Sequence, residues 1–145
     1  METVYIESTI PSYLTAHRST QEPMAFHQQL THVWWDEFRA LYRMYSSIAV
    51  RLEISKGDAS AAKRRMEVMS GIPELELSPA IEPIAVGIVK ILQLPDKAAM
   101  DATHLAFCIV HRMDYLLTWN CTHLANATLQ KTLLNTALTT NFTCQ

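Results

Sequence analysis

The sequence has little glycine, little cysteine and little charge. Three glycines and six prolines occur in 145 residues, which excludes collagen-like and low-complexity classes. Charged residues make up 18% of the chain, below the roughly 25% of an average globular protein, whereas hydrophobic residues make up 49%. The net charge of −2 excludes a broad basic surface, so contact with nucleic acid would depend on a local patch or on metal ions.

The few cysteines form no C-x-x-C pair. They are Cys108, Cys121 and Cys144. An odd number without such a pair argues against a disulfide framework and against a structural zinc site, and we interpret Cys121-x-His123 as coincidence. The acidic start of the chain is unlike a signal peptide, and the most apolar stretch, residues 84–94, is too short to span a bilayer. We therefore expect a cytoplasmic protein without membrane contact.

Short β-branched or aromatic runs alternate with amphipathic segments along the chain. Such runs predict strands over residues 4–6, 41–46, 74–77 and 115–118. Helices are predicted after Pro11, over 22–38, from Ser47 to Gly57, from Asp58 to Gly71, after Ser78, after Pro95, and over 121–138. No repeat and no linker divides the chain. The alternation predicts one α/β domain with a parallel sheet, and ligand sites in such sheets lie at the carboxyl ends of the strands.

Four side chains with oxygen atoms are predicted to meet at that edge. Glu7 ends the first strand, and Asn120 follows the last one. Glu53 lies in the helix after the second strand, and Asp101 lies in the second turn of its own helix. Hard oxygen ligands suit Mg²⁺ or Mn²⁺, and a carboxylate cluster that holds such ions can activate water against a phosphodiester.

Each of these residues also has a structural interpretation when it is taken alone. Glu7 could cap the short helix that follows it, and Glu53 could be a solvated helix residue. Asp101 could pair with Lys97 at i−4, and Asn120 could simply form a turn. The metal hypothesis therefore depends on the four residues together.

Four segments of the chain resemble the PIN domain family. They are residues 4–14 (VYIESTIPSYL), 52–58 (LEISKGD), 101–106 (DATHLA) and 114–126 (DYLLTWNCTHLAN). The resemblance is strongest to a subgroup placed with the VapC toxins of type II toxin–antitoxin systems. It covers roughly residues 3–130 and includes the pair Trp34-Trp35.

The resemblance implies a PIN-like three-layer α/β/α fold with a central parallel sheet of four or five strands. It implies one domain over residues 1–145, whose last edge strand is missing, shortened or swapped, because the chain stops at residue 145 where related chains continue. It also implies a Mg²⁺- or Mn²⁺-dependent endoribonuclease, the toxin of a toxin–antitoxin pair, with RNA as substrate and an antitoxin as protein partner.

Carried over by position, the resemblance assigns the catalytic metal ligands to Glu7, Glu53, Asp101 and Asn120. Ser8 and Thr118 match small hydroxyl positions near the metals. His104, three residues after Asp101, is interpreted as a supporting residue beside the ligands or as a packed helix histidine, and His123 is a weaker candidate.

Two other functions stay open. Asn120 carries no charge where the family often has Asp, so a degenerate PIN module that binds RNA or a protein without catalysis is the alternative. A different doubly wound hydrolase with an Asp nucleophile is disfavoured, because no D-x-D follows the first strand.

Aromatic residues in the second predicted helix suggest association. Trp34 and Trp35 could stack on RNA bases, or could be buried against the core or a partner with Val33 and Phe38. An exposed aromatic helix and an incomplete sheet predict a homodimer, with these tryptophans or the last helix near the contact. The basic triplet at residues 63–65 could steer phosphate, but a solvated helix face explains it better.

Overall fold

A small parallel sheet lies at the centre of the fold. The computed structural model describes residues 1–124. The strands of this region are β1 (Thr3–Ile6), β2 (Arg43–Tyr45) and β3 (Tyr115–Leu117), in the order β2-β1-β3. Tyr5 of the middle strand pairs with Tyr45 on one side and Leu116 on the other. The predicted α/β class with a parallel sheet is confirmed, and the arrangement is compatible with a three-layer α/β/α fold.

Helices supply the crossovers that parallel strands require. Those described are α1 (Thr9–Thr15), α2 (Met24–Val33), α3 (Ile48–Ile54), α4 (Ala59–Met69), α5 (Ile81–Leu92) and α6 (Ala99–Val110). The first two connect β1 to β2, and the other four connect β2 to β3. A π-helical turn (Trp34–Phe38) continues α2, and a 3₁₀ turn (Asp96–Ala98) precedes α6. The predicted helix over 121–138 lies outside the described residues beyond Leu124, as does any final edge strand.

Local capping explains several helix boundaries. The Ser47 hydroxyl accepts from the amides of Ala49 at 3.1 Å and Val50 at 3.4 Å at the start of α3. Asp58 accepts from an amide in the first turn of α4 at 2.9 Å. Gly71 follows α4 with φ +84°, a left-handed conformation that favours glycine. The predicted caps and stops at these positions are confirmed.

The predicted strand over residues 74–77 is wrong in extent. A single parallel bridge joins Ser46 to Glu74, and the Leu75 amide donates to the Ser46 carbonyl at 2.8 Å. Beyond it the chain leaves the sheet, since Leu77 is 62% exposed and the Glu76 carbonyl contacts His111 Nε2 at 2.8 Å. Within residues 1–124 the sheet therefore has three strands, and four or five strands are not observed.

The buried face of α6 combines apolar residues with a histidine. Ala102, His104, Ala106 and Phe107 are fully buried. Leu105 and Ile109 are only partly buried. The helix turns its histidine toward the sheet because His104 forms a hydrogen bond with Tyr5 of β1.

Trp34 and Trp35 pack against the core of their own chain. Trp34 and Trp35 are partly buried against the core, and Trp34 stacks on Tyr42 with ring centroids 5.9 Å apart. The guanidinium of Arg39 covers the Trp35 ring at 4.8 Å. The large apolar side chains that α2 and the π-helical turn leave exposed are Met24, Phe26, Leu30, Val33 and Phe38.

The basic triplet at residues 63–65 lies largely on the outer surface of α4. Arg65 donates to the carbonyls of Ile54 and Lys56 at the end of α3, and Lys63 and Arg64 are exposed. No helix in residues 1–124 combines the length and the apolar character needed to cross a membrane.

Candidate metal centre

Glu7 lies at the carboxyl end of β1 and is 3% exposed. Its amide donates to the Leu117 carbonyl at 3.1 Å, which extends the pairing with β3 by one residue. Oε2 accepts from the Thr9 amide at 3.0 Å, from the Thr9 hydroxyl at 2.6 Å and from the Thr118 hydroxyl at 2.8 Å. One oxygen of Glu7 therefore caps the start of α1, as its structural interpretation predicts. The other oxygen accepts only from Ser8 among the described residues, at 2.7 Å.

Ser8 connects Glu7 to Glu53. Its hydroxyl lies 2.7 Å from Oε1 of Glu7 and 3.0 Å from Oε1 of Glu53. A serine hydroxyl has one proton, so two carboxylates share a single donor here. Burial raises the pKa of Glu53, but the hydrogen bonds from His104 and Ser8 outweigh this effect, and the pKa lies below its usual value. Glu53 is therefore ionised at neutral pH.

His104 completes this group from α6. It is fully buried, and its Nε2 bonds to Oε1 of Glu53. Its Nδ1 lies 2.7 Å from the Tyr5 hydroxyl, which in turn lies 2.7 Å from the Ser47 hydroxyl. Burial raises the pKa of Tyr5 far above its ordinary value, so the phenol keeps its proton.

Asp101 and Asn120 form a neighbouring group with His123. Oδ2 of Asp101 lies 2.7 Å from Nδ1 of His123, and Oδ1 of Asn120 accepts from the His123 amide at 3.1 Å. Asn120 thus caps the turn that follows it. Asp101 is hydrogen-bonded to His123, and no described ion pair joins it to Lys97.

The two groups are joined by a chain of hydrogen bonds. The Asn120 amide donates to the Thr118 hydroxyl at 2.9 Å, and that hydroxyl donates to Glu7. On the other side, Asp101 and His104 are three residues apart on α6, and residues at this spacing are neighbours on a helix surface. All of the residues predicted for the site therefore lie along one connected rim of the sheet.

Three side chains of this rim could hold a metal ion. Ligand atoms of Glu7, Glu53 and His104 all lie within 4.8 Å of one another. Asp101 is not a member of this group. The structure therefore places two of the three predicted carboxylates together and adds an imidazole, while a site of three carboxylates stays a prediction.

The donor set fits a divalent cation. Two carboxylates contribute hard oxygen atoms, which suit Mg²⁺ and Mn²⁺, and an imidazole nitrogen is also a common ligand of transition metals. Within residues 1–124, no lysine or arginine forms an ion pair with Glu7 or Glu53. The negative charge at this rim therefore has no permanent cationic partner from the described part of the chain.

The importance of His104 was underestimated from the sequence. The available signal was its position, one turn after Asp101 on a helix whose other fully buried residues, Ala102, Ala106 and Phe107, are apolar. A polar side chain that is fully buried among such residues needs a partner in the core. The sequence could not show that this partner is Tyr5 on one side and Glu53 on the other.

No family model matches this chain, and no curated protein matches it. The resemblance to PIN domains therefore depends on the sequence motifs quoted above.

Proposed function

We propose that this chain is a divalent-metal-dependent endoribonuclease, the toxin of a toxin–antitoxin pair, with Glu7 and Glu53 as its central acidic ligands. The observation that supports this most is the convergence of the two carboxylates from β1 and α3, with ligand atoms within 4.8 Å and one shared hydroxyl proton between them. Like charges at such range are unfavourable without a cation. Mg²⁺ or Mn²⁺ is therefore the proposed cofactor.

The protein's own residues would hold the site in place. Thr9 and Thr118 restrain one oxygen of Glu7, which leaves the other available for a ligand. His104 and Ser8 both bond to Oε1 of Glu53, and Oε2 has no described hydrogen bond. When bound, Mg²⁺ or Mn²⁺ would polarise a phosphodiester and offset the charge that develops in its cleavage. Asp101 and Asn120 are proposed to complete the site at the same rim.

The proposed substrate is RNA and the proposed partners are an antitoxin and a second copy of the chain. The substrate and the antitoxin come from the PIN resemblance. A protein partner is also favoured by the apolar side chains that α2 and the π-helical turn expose, which are between 38% and 53% accessible. Light scattering at high micromolar concentration tests the homodimer, and a monomer there would contradict it.

A module without catalysis is the second candidate. It is favoured by the contact between Asp101 and His123, which occupies the third predicted carboxylate, and by the neutral side chain of Asn120. Such a module would bind RNA or a protein at the same rim without cleaving the phosphodiester.

A cleavage assay separates the two candidates. Purified protein is incubated with total RNA, with and without Mn²⁺, and compared with Glu53→Gln. Glu74→Gln is the matched control, because Glu74 is paired with Arg51 at the surface. We expect Mn²⁺-dependent cleavage by the wild type and by Glu74→Gln only. RNA binding without cleavage by wild type would support the second candidate, and cleavage by Glu53→Gln at the wild-type rate would exclude the proposed site.

A further inference from the structure

A line of hydrogen bonds runs through the core behind the candidate metal centre. It leads from Ser47 at the start of α3 to Tyr5 on β1, then to His104 on α6, and ends at Glu53. Ser47, Tyr5 and His104 are fully buried. Since water does not reach these groups, the direction of each hydrogen bond follows from the number of protons available.

The donor and acceptor in each of these hydrogen bonds are set by Ser47. Its oxygen accepts from the amides of Ala49 and Val50, so its one proton is directed to the Tyr5 oxygen. The Tyr5 hydroxyl then donates its hydrogen bond to Nδ1 of His104. The ring proton of His104 is therefore on Nε2, where it is donated to Glu53.

We infer that Tyr5 is a positioning residue, which holds His104 in the Nε2–H tautomer so that His104 orients Glu53 and is not itself a metal ligand. This rests on the proposed function in one respect, namely that Glu53 binds the metal. Because His104 and Ser8 both bond to Oε1 of Glu53, Oε2 is the oxygen without a described protein partner.

The arrangement with all of these donors and acceptors reversed is unfavourable. Ligation through Nε2 requires a lone pair on that atom, and the ring proton would then be on Nδ1 and directed at Tyr5. Tyr5 would donate to Ser47, and the Ser47 proton would face no acceptor among the contacts described for it. A buried hydroxyl proton without a partner is costly. His104 would also lose its hydrogen bond to Glu53.

The tautomer can be measured directly in the full chain. Long-range ¹H–¹⁵N correlation spectra at one fixed pH distinguish Nε2–H from Nδ1–H, and the His104 signals are assigned by their loss in His104→Gln. We expect the Nε2–H form in metal-free wild type and the same form at saturating Mg²⁺. The Nδ1–H form in either state would overturn the inference.

The variant Tyr5→Phe removes the hydroxyl and keeps the ring. We expect its His104 to lose the strong preference for Nε2–H, and its affinity for Mn²⁺ by calorimetry to fall about 10- to 100-fold, the usual effect of removing a partner behind a ligand. Tyr45→Phe is the control, because Tyr45 is paired with Tyr5 in the sheet and has no described side-chain hydrogen bond. Unchanged Mn²⁺ affinity in folded Tyr5→Phe would overturn the positioning role. A wild type that binds neither Mg²⁺ nor Mn²⁺ would overturn the proposed metal site as well.

Discussion

The two ends of one helical turn in α6 lie in different environments. His104 is fully buried and bonds through both ring nitrogens to residues of β1 and α3. The side chains of Asp101 and its partner His123 are 16% and 19% exposed, and His123 belongs to the segment after β3. The first group is positioned by three packed elements, whereas the second depends on one chain segment at the rim. The first group is thus fixed by tertiary packing, whereas the second is held by the hydrogen bond between Asp101 and His123 and by the turn after β3.

The largest expected effect is on catalysis. Glu53→Gln keeps the shape of the side chain and removes its charge, so we expect RNA cleavage to fall by roughly 10²- to 10³-fold, the scale for losing one electrostatic contact to a transition state. In the wild type, Mn²⁺ should raise Tm because the ion binds only the folded state. This rise should disappear in Glu53→Gln, because the variant lacks the charge of one ligand. Scanning calorimetry with and without Mn²⁺ measures the latter, and a variant with the full Mn²⁺ effect would contradict the site.

The next effect concerns stability without metal. His104→Ala removes a fully buried side chain and leaves Tyr5 and Glu53 without their partner, so it should cost about 2–4 kcal/mol. His123→Ala at the partly exposed rim should cost about 1 kcal/mol or less. Urea unfolding of both variants measures the difference. Equal costs would show that the two groups do not differ in the way the structure indicates.

Asp101→Asn tests whether the Asp101–His123 pair also belongs to the metal site. Asn keeps an oxygen that can accept from His123, and it removes one negative charge from the rim. Without metal, the variant should equal or exceed the wild type in stability, by on the order of 1 kcal/mol. Mn²⁺ should raise its midpoint much less than that of the wild type, and RNA cleavage should be lost. A metal-free wild type clearly more stable than this variant at pH 7 would remove Asp101 from the site.

The smallest expected effect is on acid stability. The pKa of Glu53 lies below its usual value near 4.5, so its ionised form stabilises the fold fully above that pH. This contribution is lost as the pH falls through the lower folded value. Since the side chain is 29% exposed, we expect no more than about 1 kcal/mol. Thermal unfolding between pH 7 and 3 should show a shallower acid loss for Glu53→Gln than for the wild type, and parallel curves would contradict the role of His104 and Ser8.

Where local chemistry decides a structure, the sequence was sufficient. The caps at Ser47 and Asp58 and the stop at Gly71 all depend on neighbours within a few positions, and all are observed. The strand over residues 74–77 depends on whether a partner strand continues beside it, and only one bridge forms. Alternation of polar and apolar residues cannot show where such a partner ends.

The candidate site divides in the same way. The sequence by itself determined which oxygen-bearing residues follow the strands, because Glu7 comes directly after β1 and Asn120 comes shortly after β3. The tertiary structure decided how they are grouped. It brought Glu7, Glu53 and His104 together and joined Asp101 to His123. The physical reason is that a buried polar group takes whichever partner the packing brings within hydrogen-bond distance, and residues 7, 53 and 104 meet only when β1, α3 and α6 have packed.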